Sequence, residues 1–218
     1  MKLFKIACIA LLAGGLMVGE CGCSSMNQTG KGALIGGGKG AAIGSAIGAG
    51  VGAGAGALIG RKMDKQQKEL QQQLGQQATV EETTDQNGLR AIKVTFEGGI
   101  LFPTNGYTLN SQAKADLSRF ATSLRDNPDT NVQIYGFTDN TGTFEVNQRV
   151  STERADAVLS YLANSGVSPT RLTAQGIPMA DYVASNDTPE GKAQNRRVEI
   201  YISADKNMIE KAENGTLR

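Results

Sequence analysis

The chain has 218 residues, with 22 Lys+Arg against 21 Asp+Glu for a formal net charge of +1, and it contains no histidine. Near-neutral charge removes the electrostatic basis for wrapping nucleic acid or another polyanion. The three cysteines, Cys8, Cys21 and Cys23, all lie in the first 23 residues, so the rest of the chain lacks the usual zinc ligands and thiol nucleophiles. No metal or cofactor is expected. A hydrolase would have to rest on paired carboxylates in a cleft, and no pair here has a motif around it, so the chain is not expected to be an enzyme.

Met1-Lys-Leu-Phe-Lys5 supplies a short positive segment, and residues 6–18 form an apolar run too short to cross a hydrocarbon core of about 30 Å as a helix. Residues 1–22 therefore read as a removable export signal. The run ends in Leu16-Met-Val-Gly-Glu-Cys21-Gly-Cys23, which resembles a bacterial lipobox, where an apolar residue and small residues precede a cysteine that becomes acylated. Gly22 beside the scissile bond favours Cys23 as the lipid anchor. Cys21, with Val18 at the apolar position, is the alternative. Acylation accounts for these cysteines better than a disulfide between residues this close, and more than one acyl chain is what stable anchoring requires. Residues 23–30 form a short linker.

Between positions 31 and 60, Gly32, Gly36, Gly40, Gly44, Gly48, Gly52, Gly56 and Gly60 recur at every fourth place without a miss. Glycines four apart share a helix face and let a second backbone approach closely, as in membrane GxxxG pairs. Each costs about 1 kcal/mol relative to alanine in a helix in water, so packing has to supply the order. The segment reads as a self-packing, membrane-associated glycine zipper able to join copies of the chain. Residues 61–78, polar and rich in helix formers, predict a solvated helical stalk.

The globular domain is expected over 79–203, with 204–218 as a C-terminal tail. Two β-prone stretches, 78–84 and 89–96, flank Asp85-Gln-Asn-Gly88, a strong hairpin signal. Asn110 is placed to cap a helix whose apolar positions Ala113, Leu117, Phe120, Ala121 and Leu124 keep helical spacing, and Asn127-Pro128 ends it. Strand 132–137 follows. The loop from Thr138 leads into a second helix with Val150, Ala155, Val158, Leu159 and Leu162 inward and Gly166 as its stop. Residues 172–175 and the alternating 198–202 supply two more strands. The fold class is α+β, two helices on a mixed sheet.

Gly136-Phe-Thr-Asp-Asn-Thr-Gly142 followed by Asn147, then Ser151-Thr-Glu-Arg-Ala155, and finally residues 186–200 with Asn195-Arg-Arg197, together resemble the OmpA-like peptidoglycan-binding domain. With the lipobox and zipper, the resemblance extends to glycine-zipper lipoproteins of the outer membrane. It implies a periplasmic domain whose Asp139 and Arg154 clasp the diaminopimelate of the peptide stem, with Asn105, Thr138, Asn147 and Val150 lining the pocket. The partners it implies are peptidoglycan and, through the lipid, the outer membrane. The chemistry is intelligible on its own terms. The free end of diaminopimelate carries an ammonium and a carboxylate on one carbon, which call for an acceptor and a forked guanidinium. The Asn195-Arg-Arg197 arginines are expected to brace the fold.

Overall fold

The computed structural model describes residues 51–103 and 106–217. The expected signal (1–22), the linker (23–30), Cys21, Cys23, Gly32, Gly36, Gly40, Gly44, Gly48 and Asn105 lie outside the described residues.

The first helix, α1 (Ala53–Leu74), takes in the end of the zipper and most of the polar run. Its residues are mostly good helix formers, and Gly75 closes it with φ +55°. The polar run is helical, but it is not a solvated stalk. Ile59, Met63, Gln66, Leu70 and Leu74, three or four apart, are buried where α1 packs on α3, α6, β1 and β2. A stripe of four apolar side chains is narrow by sequence, yet it suffices because the domain offers a matching apolar surface. Gln66 is anomalous. Its side chain is fully buried, and neither amide atom has a hydrogen-bond partner among the described residues.

The domain opens with the hairpin β1 (Thr79–Thr84) and β2 (Arg90–Glu97), paired antiparallel with Thr84 opposite Arg90. The turn is fixed as its residues suggest. Asp85 Oδ1 accepts from the amides of Asn87 and Leu89, and Gly88 takes φ +73°. A single helical turn, α2 (Gly98–Leu101), precedes α3 (Ser111–Asp126). Asn110 Oδ1 caps α3, accepting from Ala113 N at 2.7 Å. β3 (Thr130–Phe137) leads into α4 (Phe144–Asn164), which ends before Gly166 at φ +90°. Then come β4 (Leu172–Ile177), α5 (Pro189–Asn195) and β5 (Arg197–Ala204). The expected tail holds a further helix, α6 (Lys206–Glu213), capped by Asp205 and burying Met208, Ile209 and Ala212.

The strand order is β1-β2-β5-β3-β4; β3 and β4 are parallel, and the other neighbours are antiparallel. This is the expected α+β mixed sheet. Ile92, Val94 and Phe96 of β2, Val132 and Ile134 of β3, and Val198, Ile200 and Ile202 of β5 are fully buried. Phe96 meets Phe120 of α3 edge-on, with ring centroids 6.3 Å apart. Among the described residues no helix is long and apolar enough to cross a membrane.

Leaving a buried polar group without a partner costs about 1–3 kcal/mol, so Gln66→Met, of similar volume, should stabilise the chain by roughly that amount. For a unit of this size the midpoint in thermal unfolding should rise by about 2–4 °C per kcal/mol. An unchanged or lower midpoint would mean that the Gln66 amide is satisfied in solution.

Candidate functional site

Helix α4 carries most of the candidate residues, and a pair of glycines sets its height above the sheet. Gly136 of β3 and Gly176 of β4 lie side by side in the parallel ladder. A Cβ on Gly136 would collide with the carbonyl oxygen of Ser151, and one on Gly176 would fall 2.5 Å from the amide nitrogen of Thr152. The helix therefore rests on bare backbone less than one turn before Arg154, at a distance no side chain would allow.

The loop between β3 and α4 is tied down at nearly every residue. Thr138 Oγ1 accepts from the Met179 amide at 3.1 Å, which joins this loop to the one after β4. Asp139 Oδ1 accepts from Thr141 N at 2.7 Å, and Asn140 N donates to Asn186 Oδ1 at 3.3 Å. Asn147 Nδ2 reaches back to the carbonyls of Thr141 and Thr143 at 2.8 and 2.9 Å. Thr143 caps α4 by accepting from Val146 N. Asn147, the half-buried Val150 and Arg154 follow one another at spacings of three and four residues, so they share one face of the helix.

Asp139 is 5 % exposed and Arg154 is 4 % exposed. Arg154 Nε donates to the carbonyl of Gly106 at 3.0 Å, and its guanidinium carbon stands 5.3 Å from the centroid of the Phe102 ring. Among the described residues it forms no ion pair. Burial disfavours its charge, the Arg196 guanidinium adds to that, and the Asp139 carboxylate works against both, so that its pKa falls below the usual arginine value. An arginine stays charged under such a load. The result is a desolvated cation whose fork has no carboxylate.

Asp139 does not face Arg154 alone. Arg196 Nη1 donates to Asp139 Oδ2 at 2.6 Å. Burial works against the Asp139 carboxylate, but the Thr141 amide and the Arg196 guanidinium outweigh it and hold the carboxyl below its ordinary value. Two guanidiniums thus act on one carboxylate, leaving a surplus positive charge beside it. Sequence reasoning placed Arg196 among the bracing residues. Its neighbours do brace. Asn195 accepts from the amides of Val183 and Ala184, and Arg197 pairs with Glu199, lies 3.8 Å from the Phe137 ring centroid and donates to the carbonyl of Asp181. Arg196 instead reaches the candidate site. Of the six residues expected to bind ligand, Thr138, Asp139, Asn147, Val150 and Arg154 lie on the β3–α4 loop and the first half of α4, and Asn105 is outside the described residues.

Residues 101–196 match the OmpA family, and residues 29–67 match the glycine zipper. The family resemblance read from the motifs is thereby shown for those segments. The chain is 41 % identical over 112 residues to a probable lipoprotein, YiaD, of Escherichia coli, with 51 % of each protein covered. It is 40 % identical over 113 residues to the peptidoglycan-binding protein ArfA of Mycobacterium bovis, covering 52 % of this chain and 35 % of that one. The chain thus spans about half the length of the first relative and about a third of the second. Its fold is similar to the cell wall anchor of the T6SS from Pseudomonas aeruginosa, with TM-score 0.55 and 30 % identity, covering 62 % of this chain and 97 % of that one.

The lowered pKa of Asp139 has a defined pH consequence. A carboxyl whose folded pKa lies below its unfolded value of about 3.9 contributes stability that is present above that value and is lost as pH falls through the folded one. Arg196→Gln should raise the Asp139 pKa in a carboxyl NMR titration and flatten the acid limb of the stability–pH curve below about pH 4. Superimposable titrations of the two proteins would show that the ion pair is absent in solution.

Proposed function

We propose that this protein is a non-catalytic tether. An outer-membrane lipoprotein anchored through Cys23, or alternatively Cys21, it would hold peptidoglycan by the zwitterionic end of diaminopimelate, with its C-terminal domain in the periplasm. One observation carries the proposal: Arg154 is buried, positioned by Gly106 and Phe102, and without an ion-pair partner among the described residues. Burying a cation without its counter-charge costs several kcal/mol, which a bound carboxylate would return through a bidentate pair. Asp139, on the loop that leads into α4 and held ionised by the Thr141 amide and Arg196, is the acceptor for the ligand's ammonium. Its Oδ2 partner Arg196 has a side chain 41 % exposed, free to swing toward solvent when the ammonium arrives. The OmpA-family match over 101–196 and the peptidoglycan-binding and cell-wall-anchor relatives support this assignment. Thr138, Asn147, Val150 and Asn105 complete the proposed pocket.

A second role rests on a separate observation. Among the described residues, Cβ atoms added at Gly52, Gly56 and Gly60 would meet nothing within 4 Å, so these glycines serve no packing need of the described domain and their positions are open to another helix. Self-assembly through the zipper would be lost with Gly44→Leu and Gly48→Leu in chemical crosslinking, whereas oligomers that persist would reduce the zipper to a spacer.

The tether is tested by retention on purified sacculi. Asp139→Ala and Arg154→Lys should each lose about 2–5 kcal/mol of binding with unchanged circular dichroism. The lysine variant separates the geometry of the fork from mere charge. Wild-type retention by both variants would remove the assigned site.

A further inference from the structure

The described residues leave five large apolar side chains exposed: Tyr107, Phe144, Val146, Tyr182 and Val183, between 41 % and 58 % accessible. They come from three separate segments, and each segment is fastened to the charged pair. Tyr107 follows Gly106, whose carbonyl holds Arg154. Phe144 and Val146 open α4 directly after the loop carrying Asp139, and Asn147 beside them is bonded into that loop. Tyr182 and Val183 sit in the loop after β4, where Arg197 and Asn195 hold the backbone at Asp181 and Val183. That loop is joined to the Asp139 loop through Met179–Thr138 and Asn140–Asn186. Met179 and Asp181 there take φ of +50° and +51°, an uncommon conformation for such residues.

Removing side chains of this size from water is favourable. Scattered exposed apolar residues need no explanation, but their confinement to the border of one site marks a recognition surface. Its surroundings select the occupant. Asn140, Thr141, Thr143, Ser185 and Thr188 are exposed and neutral, and Glu145, Asp181, Asp187 and Glu190 add acid to the same loops. An anionic membrane surface asks for a surplus of basic side chains beside its aromatic ones, whereas here these four exposed acids outnumber Arg149, Lys192 and Arg196. The apolar side chains are also interrupted by polar ones, unlike the continuous apolar centre of a protein interface. Flat rings separated by neutral hydrogen-bonding groups suit pyranose rings, whose C–H faces lie on aromatic faces while hydroxyls and acetamido groups meet the amides and hydroxyls around them.

We propose that Tyr107, Phe144 and Tyr182, with Val146 and Val183, form a platform for the amino-sugar strand of the polymer whose peptide Asp139 and Arg154 grip. The platform rests on the peptidoglycan proposal and adds a second subsite to it. Titration calorimetry on the full-length mature chain in detergent separates the two. The probes are a stem tripeptide ending in diaminopimelate and the same tripeptide attached to a GlcNAc–MurNAc disaccharide. The wild type should bind the disaccharide form at least about tenfold more tightly, since tenfold is only about 1.4 kcal/mol. Phe144→Ser, Tyr107→Ser and Tyr182→Ser should each erode that advantage while leaving tripeptide affinity unchanged. Equal wild-type affinity for both probes overturns the platform and leaves the peptide clasp standing. Equal weakening of both probes in the variants also overturns it, because the rim would then only shape the clasp. Binding of neither probe by the wild type overturns both assignments. Binding to phosphatidylglycerol vesicles that the serine variants abolish would make the rim a membrane contact instead.

Discussion

Helix α4 lies against naked backbone, and the geometry of the site follows from that contact. Gly136 and Gly176 are neighbours in the β3–β4 ladder, and Ser151 and Thr152 occupy the space their side chains would fill. Arg154 follows by less than one turn. Its guanidinium is therefore set at a depth where it can reach the Gly106 carbonyl and the Phe102 ring, instead of extending into solvent as most helix arginines do. A methyl group on either glycine would lift the helix, and the charge would rise with it. Close packing makes such a displacement costly and hard to absorb locally.

The electrostatics follow from the same placement. A buried arginine that already had its carboxylate would be a structural ion pair, as Arg197 and Glu199 are on the adjoining strand. Arg154 differs because the nearby carboxylate is committed elsewhere: Asp139 is held by the Thr141 amide and by Arg196. The two partners differ in how firmly they hold. The amide belongs to a tight turn, while the arginine is a long side chain 41 % exposed whose charged head can return to water. Arg196 therefore helps to keep the carboxylate ionised and is the more readily displaced of its two partners.

Much of the fold was legible because local chemistry and tertiary structure agree. Asn-Gly forms the expected hairpin, Asn110 caps α3, Gly166 stops α4, and the alternation near the carboxyl end is a central strand. The elements that escaped depend on partners distant in sequence. Helix α6 has a cap at Asp205 and three buried apolar residues, a pattern too short to stand out from a polar tail. Arg196 and Arg197 look alike as a pair. Successive residues of an extended chain point to opposite faces, so one enters the site while the other packs on Phe137. The contacts of Arg154 with Phe102 and Gly106 span about fifty positions, and nothing at either end announces them. The residues proposed to grip ligand stand in a recognisable motif, whereas those that set their charge and depth carry no such signal.

Helix α1 shows how a sequence weak in apolar residues can still belong to a domain. Ile59, Met63, Leu70 and Leu74 are all at or below 2 % exposure. At about 1.5–3 kcal/mol each, their burial favours docking by roughly 6–12 kcal/mol. Gln66 opposes it with one amide group buried and unpartnered among the described residues, at about 1–3 kcal/mol. The apolar term wins even when the polar penalty is taken at its largest. Composition had suggested a spacer, since most of the helix surface is Lys, Gln and Glu. Only one narrow stripe has to be apolar when the surface beneath it, built from α3, α6 and the β1–β2 hairpin, is already formed. The globular unit therefore begins well before β1, and α1 is one of its walls.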